Sequence, residues 1–160
     1  MAKIKIIRSG GQSGVDRAAL DAARSCKITI CGWCPKGGWA EDYPDPPGIL
    51  ALYPELKEIP SARVEQRTVW NVRDADATLI IDPTQPGASP GTALTAKTAK
   101  AFSKPYLVVR SENSVQEVID WLAGLEDELV LNIAGSRESE YEGVYAKAVR
   151  LLKKVFFGLE

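Results

Sequence analysis

Apolar and polar positions alternate along the chain in two rhythms. Short runs rich in β-branched residues, from Ile4 to Ile7, Ile28 to Cys31, Thr78 to Ile81, Tyr106 to Val109 and Leu129 to Ile133, read as strands. Between most of them the apolar residues recur at helical spacing. Val15, Ala18, Ala19, Ala22, Ala23 and Cys26 draw one apolar stripe, with Asp16, Arg17, Asp21 and Arg24 off it. The alanines allow this helix to lie close on a sheet. A last helix turns Val144, Ala148, Leu151, Leu152 and Val155 inward and Lys147, Arg150, Lys153 and Lys154 toward solvent. Weaker helices are drawn from about Ala93 to Phe102, from about Val115 to Leu125 with Trp121 and Leu122 as core candidates, and from Arg63 to Asp74. Strands alternating with helices predict an α/β fold: a doubly wound, mainly parallel sheet with helices on both faces.

Residues 32–61 break every period and hold six of the ten prolines. They read as a long irregular insertion after the second strand. Its two tryptophans and two tyrosines favour order, because disordered segments are poor in aromatics.

Length and charge narrow the picture. At 160 residues the chain suits a single domain, residues 1–160, that can bury roughly 70% of its unfolded surface. A formal net charge of -1 argues against nucleic acid as partner. No apolar window reaches the length of a membrane span, so no membrane partner and a cytoplasmic location are expected. Three cysteines fit a reducing compartment, and the absence of histidine removes the commonest proton shuttle and metal ligand. No metal site is expected. Four tryptophans leave room for a homo-oligomeric interface.

Candidate chemistry lies in three loops that follow strands. In "SGGQSGVDRAALDAA", Ser13 is placed as helix N-cap with Asp16 in a capping-box position, and the amides around Gly11 to Gly14 would face an anion at the positive end of the helix. The loop is a ligand cradle or a tight turn. "DPTQPGASPGTALT" enters a helix through Gly91 and Thr92. "NIAGSRES" adds Arg137, whose guanidinium can bind an oxyanion with two parallel bonds. In a doubly wound sheet all three loops meet at the carboxyl ends of the strands, where such folds bind ligands. Arg63, Arg67 and Asn71, four apart on one helix, form a polar stripe that could grip the same anion.

"CGWC", Cys31 to Cys34, invites a redox reading, but the prolines and glycines that follow do not supply the helix N-terminus that lowers a thiol pKa. Glu41, Asp42 and Asp82 are the carboxylates nearest the expected cleft; Glu41 and Asp42 are weak candidates for a general base, and no catalytic residue is assigned.

Taken in order, "SGGQSGVDRAALDAA", "GWCPKGGWAED", "RTVWNVRDADATLI", "GTALT" and "NIAGSRES" resemble, across nearly the whole chain, the putative molybdenum carrier family, circularly permuted YpsA-like members of the SLOG superfamily related to the LOG nucleotide-processing proteins. The resemblance implies a Rossmann-like fold and a pocket for a small phosphorylated ligand, nucleotide-like or molybdopterin-like. The cofactor is unassigned between the molybdenum cofactor and a nucleotide. The implied ligand-binding residues are Gly10, Gly11, Gln12, Ser13, Gly14, Asp16 and Arg17, then Trp33, Pro35 and Lys36, then Arg67 and Asn71, then Gly91, Thr92 and Thr95, and last Gly135, Ser136, Arg137 and Ser139. Gly38 and Ser136 depart from the family's pattern, which has a basic residue and a proline there.

Two functions follow from the resemblance. One is a carrier or sensor that holds its ligand unchanged. The other is a LOG-like phosphoribohydrolase that splits the base from a nucleoside monophosphate. Thr95 stands where the LOG relatives place a glutamate, and a hydroxyl cannot replace a carboxylate in that chemistry, so the carrier reading leads.

Overall fold

The computed structural model describes residues 2–160. In chain order its elements are β1 (Ile4–Arg8), α1 (Val15–Ser25), β2 (Thr29–Cys31), β3 (Trp33–Cys34), β4 (Lys57–Glu58), α2 (Val64–Arg73), β5 (Ala77–Ile81), α3 (Pro90–Ala101), β6 (Tyr106–Val109), α4 (Val115–Ala123), β7 (Leu129–Gly135) and α5 (Val144–Gly158). Five strands form one sheet in the order β2-β1-β7-β5-β6, and every pair is parallel. All five expected strands are present. The last strand in the chain is the central one. If β7 is counted first and the rest follow in sequence, the order becomes 3-2-1-4-5, the arrangement of doubly wound nucleotide-binding sheets.

Helices cover both faces of this sheet. α1 packs on α5 and α5 on α4, while α2 packs on α3. The larger core contains Ile7, Leu20, Leu79, Leu131, Ile133, Leu151 and Leu152, all fully buried. Each contributes about 1.5–3 kcal/mol by leaving water. The stripes expected on α1 and α5 face this core, with Cys26 at its edge. α3 differs: its buried side carries Thr92, Thr95, Thr98 and Ala99. The hydroxyls of Thr95 and Thr98 donate back to the carbonyls of Gly91 and Leu94, which lets polar residues sit where apolar ones usually do. That composition is why its amphipathic signal in the sequence is weak.

Residues 32–61 are not wholly irregular, contrary to expectation. β3 and β4 form a small parallel pair, two short 3-10 turns occupy Lys36–Gly38 and Gly48–Ala51, and Ile49, Tyr53, Leu56 and Ile59 are buried. The segment covers one side of α1. Arg17 pairs with both oxygens of Asp42 at 3.0 and 2.9 Å and lies over the rings of Tyr43 and Tyr53, and Asp21 accepts hydrogen bonds from the hydroxyls of Tyr53 and Tyr145. Arg17, off the apolar stripe, is thereby buried as well, and Asp21 is half-buried.

Candidate functional site

Because the strands are parallel, the loops after β1, β5 and β7 leave the same edge of the sheet. Between them and α2 lies a cavity of about 400 Å³, at the lower end of the range for small-molecule sites. Gly10 and Gln12 of the first loop border it with Asp16 of α1. Arg67 and Asn71 come from α2, Gly91 and Thr95 from α3, and Gly135, Arg137 and Ser139 from the end of β7 and the loop beyond.

The glycines of the first loop serve loop packing more than ligand approach. Gly14 has φ 78°, and a Cβ on it would lie 2.3 Å from the carbonyl oxygen of Ser136. Only glycine tolerates both conditions. The two loops are then locked by Val15 N–H donating to Ser136 O at 3.1 Å. The expected cap is corrected here: Gly14, not Ser13, is the N-cap of α1, and no side chain caps it. Ser13 is drawn away because its hydroxyl donates to Glu41 at 2.5 Å and accepts the amide of Glu138 at 3.2 Å.

The expected outward-facing amides are corrected too. Gly11 N–H donates to Ser9 Oγ, Gln12 N–H to Asp16 Oδ2 and Ser13 N–H to Gln12 Oε1. Those donors are consumed within the loop. The free donors come from elsewhere. Gly91 N–H lies in the first turn of α3, where helix amides have no intrahelical acceptor. The Arg137 guanidinium makes no hydrogen bond among the described residues; its nearest anion, Glu41 Oε1, is 3.9 Å away.

Two of the residues that border the cavity are charged and buried. Asp16 and Arg67 are 8% and 6% exposed, with Arg67 Nη1 3.9 Å from Asp16 Oδ2. Burial raises the Asp16 pKa above the usual carboxylate value, against the opposing pull of Arg67 and the Gln12 amide. The same burial lowers the Arg67 pKa. Arg67 is anchored by donating to Gly10 O at 2.9 Å. Gln12 Oε1 accepts the amides of Ser13 and Glu41 at 3.0 and 2.8 Å, which fixes the carboxamide's orientation. Its Nε2 is buried and has no hydrogen-bond partner among the described residues.

Other expected site residues lie elsewhere or are otherwise engaged. Ser13, Gly14 and Arg17 border a separate groove beside Tyr53 and Tyr145. Gly11 packs beneath Ile49, and Pro35 is buried in the insertion while Lys36 is exposed on it. Trp33 packs edge-to-face on Trp70 at 5.1 Å and donates to Asp74. Asn71 borders the cavity, and its carboxamide bonds the amide and carbonyl of Trp33, both at 2.9 Å, which ties α2 to β3. Thr92 is buried in α3. Ser136 donates to Asp82 at 2.7 Å, a contact that helps hold the Asp82 pKa low against the effect of burial. Glu41 accepts from Ser13 and Ser139. Burial works against its charge, yet these hydrogen bonds bring its pKa below the usual value. Asp42 is taken by Arg17.

Glu65, Ser89, Asn132 and Glu140 also border the cavity, and the sequence reading did not select them. Glu140 accepts the Arg137 amide at 2.8 Å and the Ser89 hydroxyl at 3.3 Å, tying the third loop to α3. Asn132 carried a usable signal: an amide inside the apolar run Leu129 to Ile133 needs a polar reason to be there. Burial pushes the Cys34 thiol up to about 11 and raises that of Cys31, the opposite of the lowered pKa a reactive dithiol needs.

A doubly wound parallel sheet with a cavity at the carboxyl ends of its strands defines an α/β domain of the Rossmann type, with its central strand the last one in sequence. The chain belongs to the circularly permutated YpsA SLOG family, whose pattern matches residues 7–156. It is also similar to the crystal structure of a "putative molybdenum carrier protein" from Syntrophus aciditrophicus SB, with TM-score 0.83 and 35% identity over 96% of each chain. Comparison with curated proteins gives no match.

Proposed function

We propose that the protein is a carrier or sensor that holds a small phosphorylated organic molecule, nucleotide-like or molybdopterin-like, in the cleft without transforming it. The observation that carries this reading is that the cavity is bordered both by Gly91, in the first turn of α3, and by Arg137, whose guanidinium makes no hydrogen bond among the described residues. A phosphoryl oxygen satisfies both a helix N-terminus and an arginine fork. The name of the Syntrophus protein lends support to a molybdenum-related cargo. Among the described residues no group of three or more His, Cys, Asp or Glu could hold a metal ion. The donor set suits an organic anion, so a metal carried here would be ligated by its own organic partner. Native mass spectrometry of freshly purified protein tests the proposal: a stoichiometric phosphorylated small molecule supports it, and an empty chain that also takes up no added phosphate ester overturns it.

One observation favours the phosphoribohydrolase alternative. Although Thr95 is bonded to Gly91 O in its own helix, a carboxylate is supplied to the cavity by Glu140. Free base released from nucleoside monophosphates by the wild type, and not by Glu140→Gln, would replace the carrier reading with the hydrolase.

A further inference from the structure

A second cavity, of about 320 Å³, opens where β5 and β6 end, on the side of α5. Ile81 and Arg110 border it, with Tyr141, Val144, Lys147 and Leu151 from the last loop and α5. Val144 and Leu151 are fully buried and Ile81 nearly so, which gives the space an apolar lining. Glu140 and Tyr141, adjacent in sequence, border one cavity each, so the loop that carries Arg137 walls both.

The cations of this lining lack a counter-charge. Arg110 donates through Nη1 to the carbonyls of Asp82 and Thr84, at 3.2 and 3.0 Å, which fixes the guanidinium. Its Nε and Nη2, the edge that takes a carboxylate with two parallel bonds, have no hydrogen-bond partner among the described residues. Lys147 Nζ lies 5.1 Å from the centre of the Tyr141 ring and forms no ion pair among the described residues. Glu112, the only acid on the lining among the described residues, is engaged by Arg150 at 2.8 Å.

We infer that this cavity is a second binding site, independent of the function proposed above, for a small carboxylic acid with an apolar body, of the aryl or branched-chain class. The carboxylate binds the open edge of Arg110, Lys147 adds charge, and the body leaves water against Ile81, Val144 and Leu151. Two cations against Glu112 leave one positive charge on the lining, which matches a monoanion. A bare phosphate would satisfy the cations and leave the apolar lining wet.

Isothermal titration of the full chain with phenylacetate, its neutral counterpart 2-phenylethanol and its cationic counterpart 2-phenylethylamine tests the inference. Phenylacetate should bind saturably, about tenfold tighter than the alcohol, the loss of one charge-assisted interaction, with the amine weaker still. Arg110→Gln should erase the preference for acid over alcohol, whereas Arg137→Ala, which alters the first cavity, should leave phenylacetate affinity unchanged. Should Arg110→Gln not fold, Lys147→Gln locates the site by a smaller loss of the same preference. No binding of phenylacetate, or the alcohol or amine binding as tightly, overturns the inference. Inorganic phosphate displacing phenylacetate at equal concentration overturns the ligand class. Phenylacetate binding lost in Arg137→Ala and kept in Arg110→Gln and Lys147→Gln places the acid in the first cavity, which overturns the second site and leaves the proposed function standing.

Discussion

Glu41 and Ser139, 98 residues apart in sequence, are joined twice: the Ser139 hydroxyl donates to Glu41 Oε1 at 2.6 Å and its amide to Oε2 at 3.2 Å. Ser13 donates to the same carboxylate. One acid in the insertion thus closes the first and third loops around the cavity. Glu41→Gln keeps the shape but loses the charge, and should cost roughly 1–2 kcal/mol, since hydrogen bonds to a charged group are worth more than neutral ones. Denaturant unfolding measures it; unchanged stability would show that the clasp contributes nothing.

Arg137→Ala should weaken binding of a phosphorylated ligand by roughly 1.5–3 kcal/mol, the worth of a charge-assisted hydrogen bond. Its guanidinium is not needed to hold the loop, which is fixed through its amide on Glu140. Calorimetry with a phosphate ester separates the two roles: affinity falls while the melting temperature stays within a degree or two.

Gly14→Ala should destabilise the fold by roughly 3 kcal/mol, because the backbone sits in a region that side chains avoid and the new methyl meets the Ser136 carbonyl. Thermal unfolding reads this directly. A variant as stable as the wild type would show that the loops separate freely.

Asp74 links acid stability to the insertion. Hydrogen bonds from Arg73 and Trp33 hold its carboxyl at about 2 instead of 3.8. A pKa lowered on folding stabilises above the unfolded value, and the contribution is lost as pH falls from near 4 through about 2. The group is largely solvent-screened, so the amount should stay under about 1 kcal/mol. Asp74→Asn should flatten stability against pH in that window, followed by tryptophan fluorescence.

Cys34, buried and with its thiol pushed up to about 11, should resist iodoacetamide at pH 8 in the folded chain and react once the chain is unfolded. Mass spectrometry of the labelled peptides scores the site. Rapid native labelling of Cys34 would reopen the redox reading of "CGWC".

Periodicity carried most of the architecture, because Val15 to Ala23 and Val144 to Val155 bury the faces their spacing draws. It could not rank the loops' polar residues. Asn71 and Arg67 share one helical stripe, yet the partner that occupies Asn71 is Trp33, 38 residues away, while Arg67 lies on Gly10, 57 residues away. Ser13 has a capping residue's identity and spacing but is claimed by Glu41, again across the insertion. Local rules describe what a side chain can bond; the long-range contacts decide which bond it makes. Glu140 escaped notice for the same reason, since its place beside Ser89 exists only once β7 lies next to β5.

The position of β7 also bears on how the molecule comes into being. While the chain is being synthesised, β1 can pair with β2 and β5 with β6, but the strand that joins the two pairs into one sheet lies beyond residue 128. Closure of the sheet and creation of the cleft are then one event, completed by the segment that carries Arg137. A nascent chain cut short of that segment lacks the wall that Asn132, Gly135, Arg137 and Glu140 give the cavity.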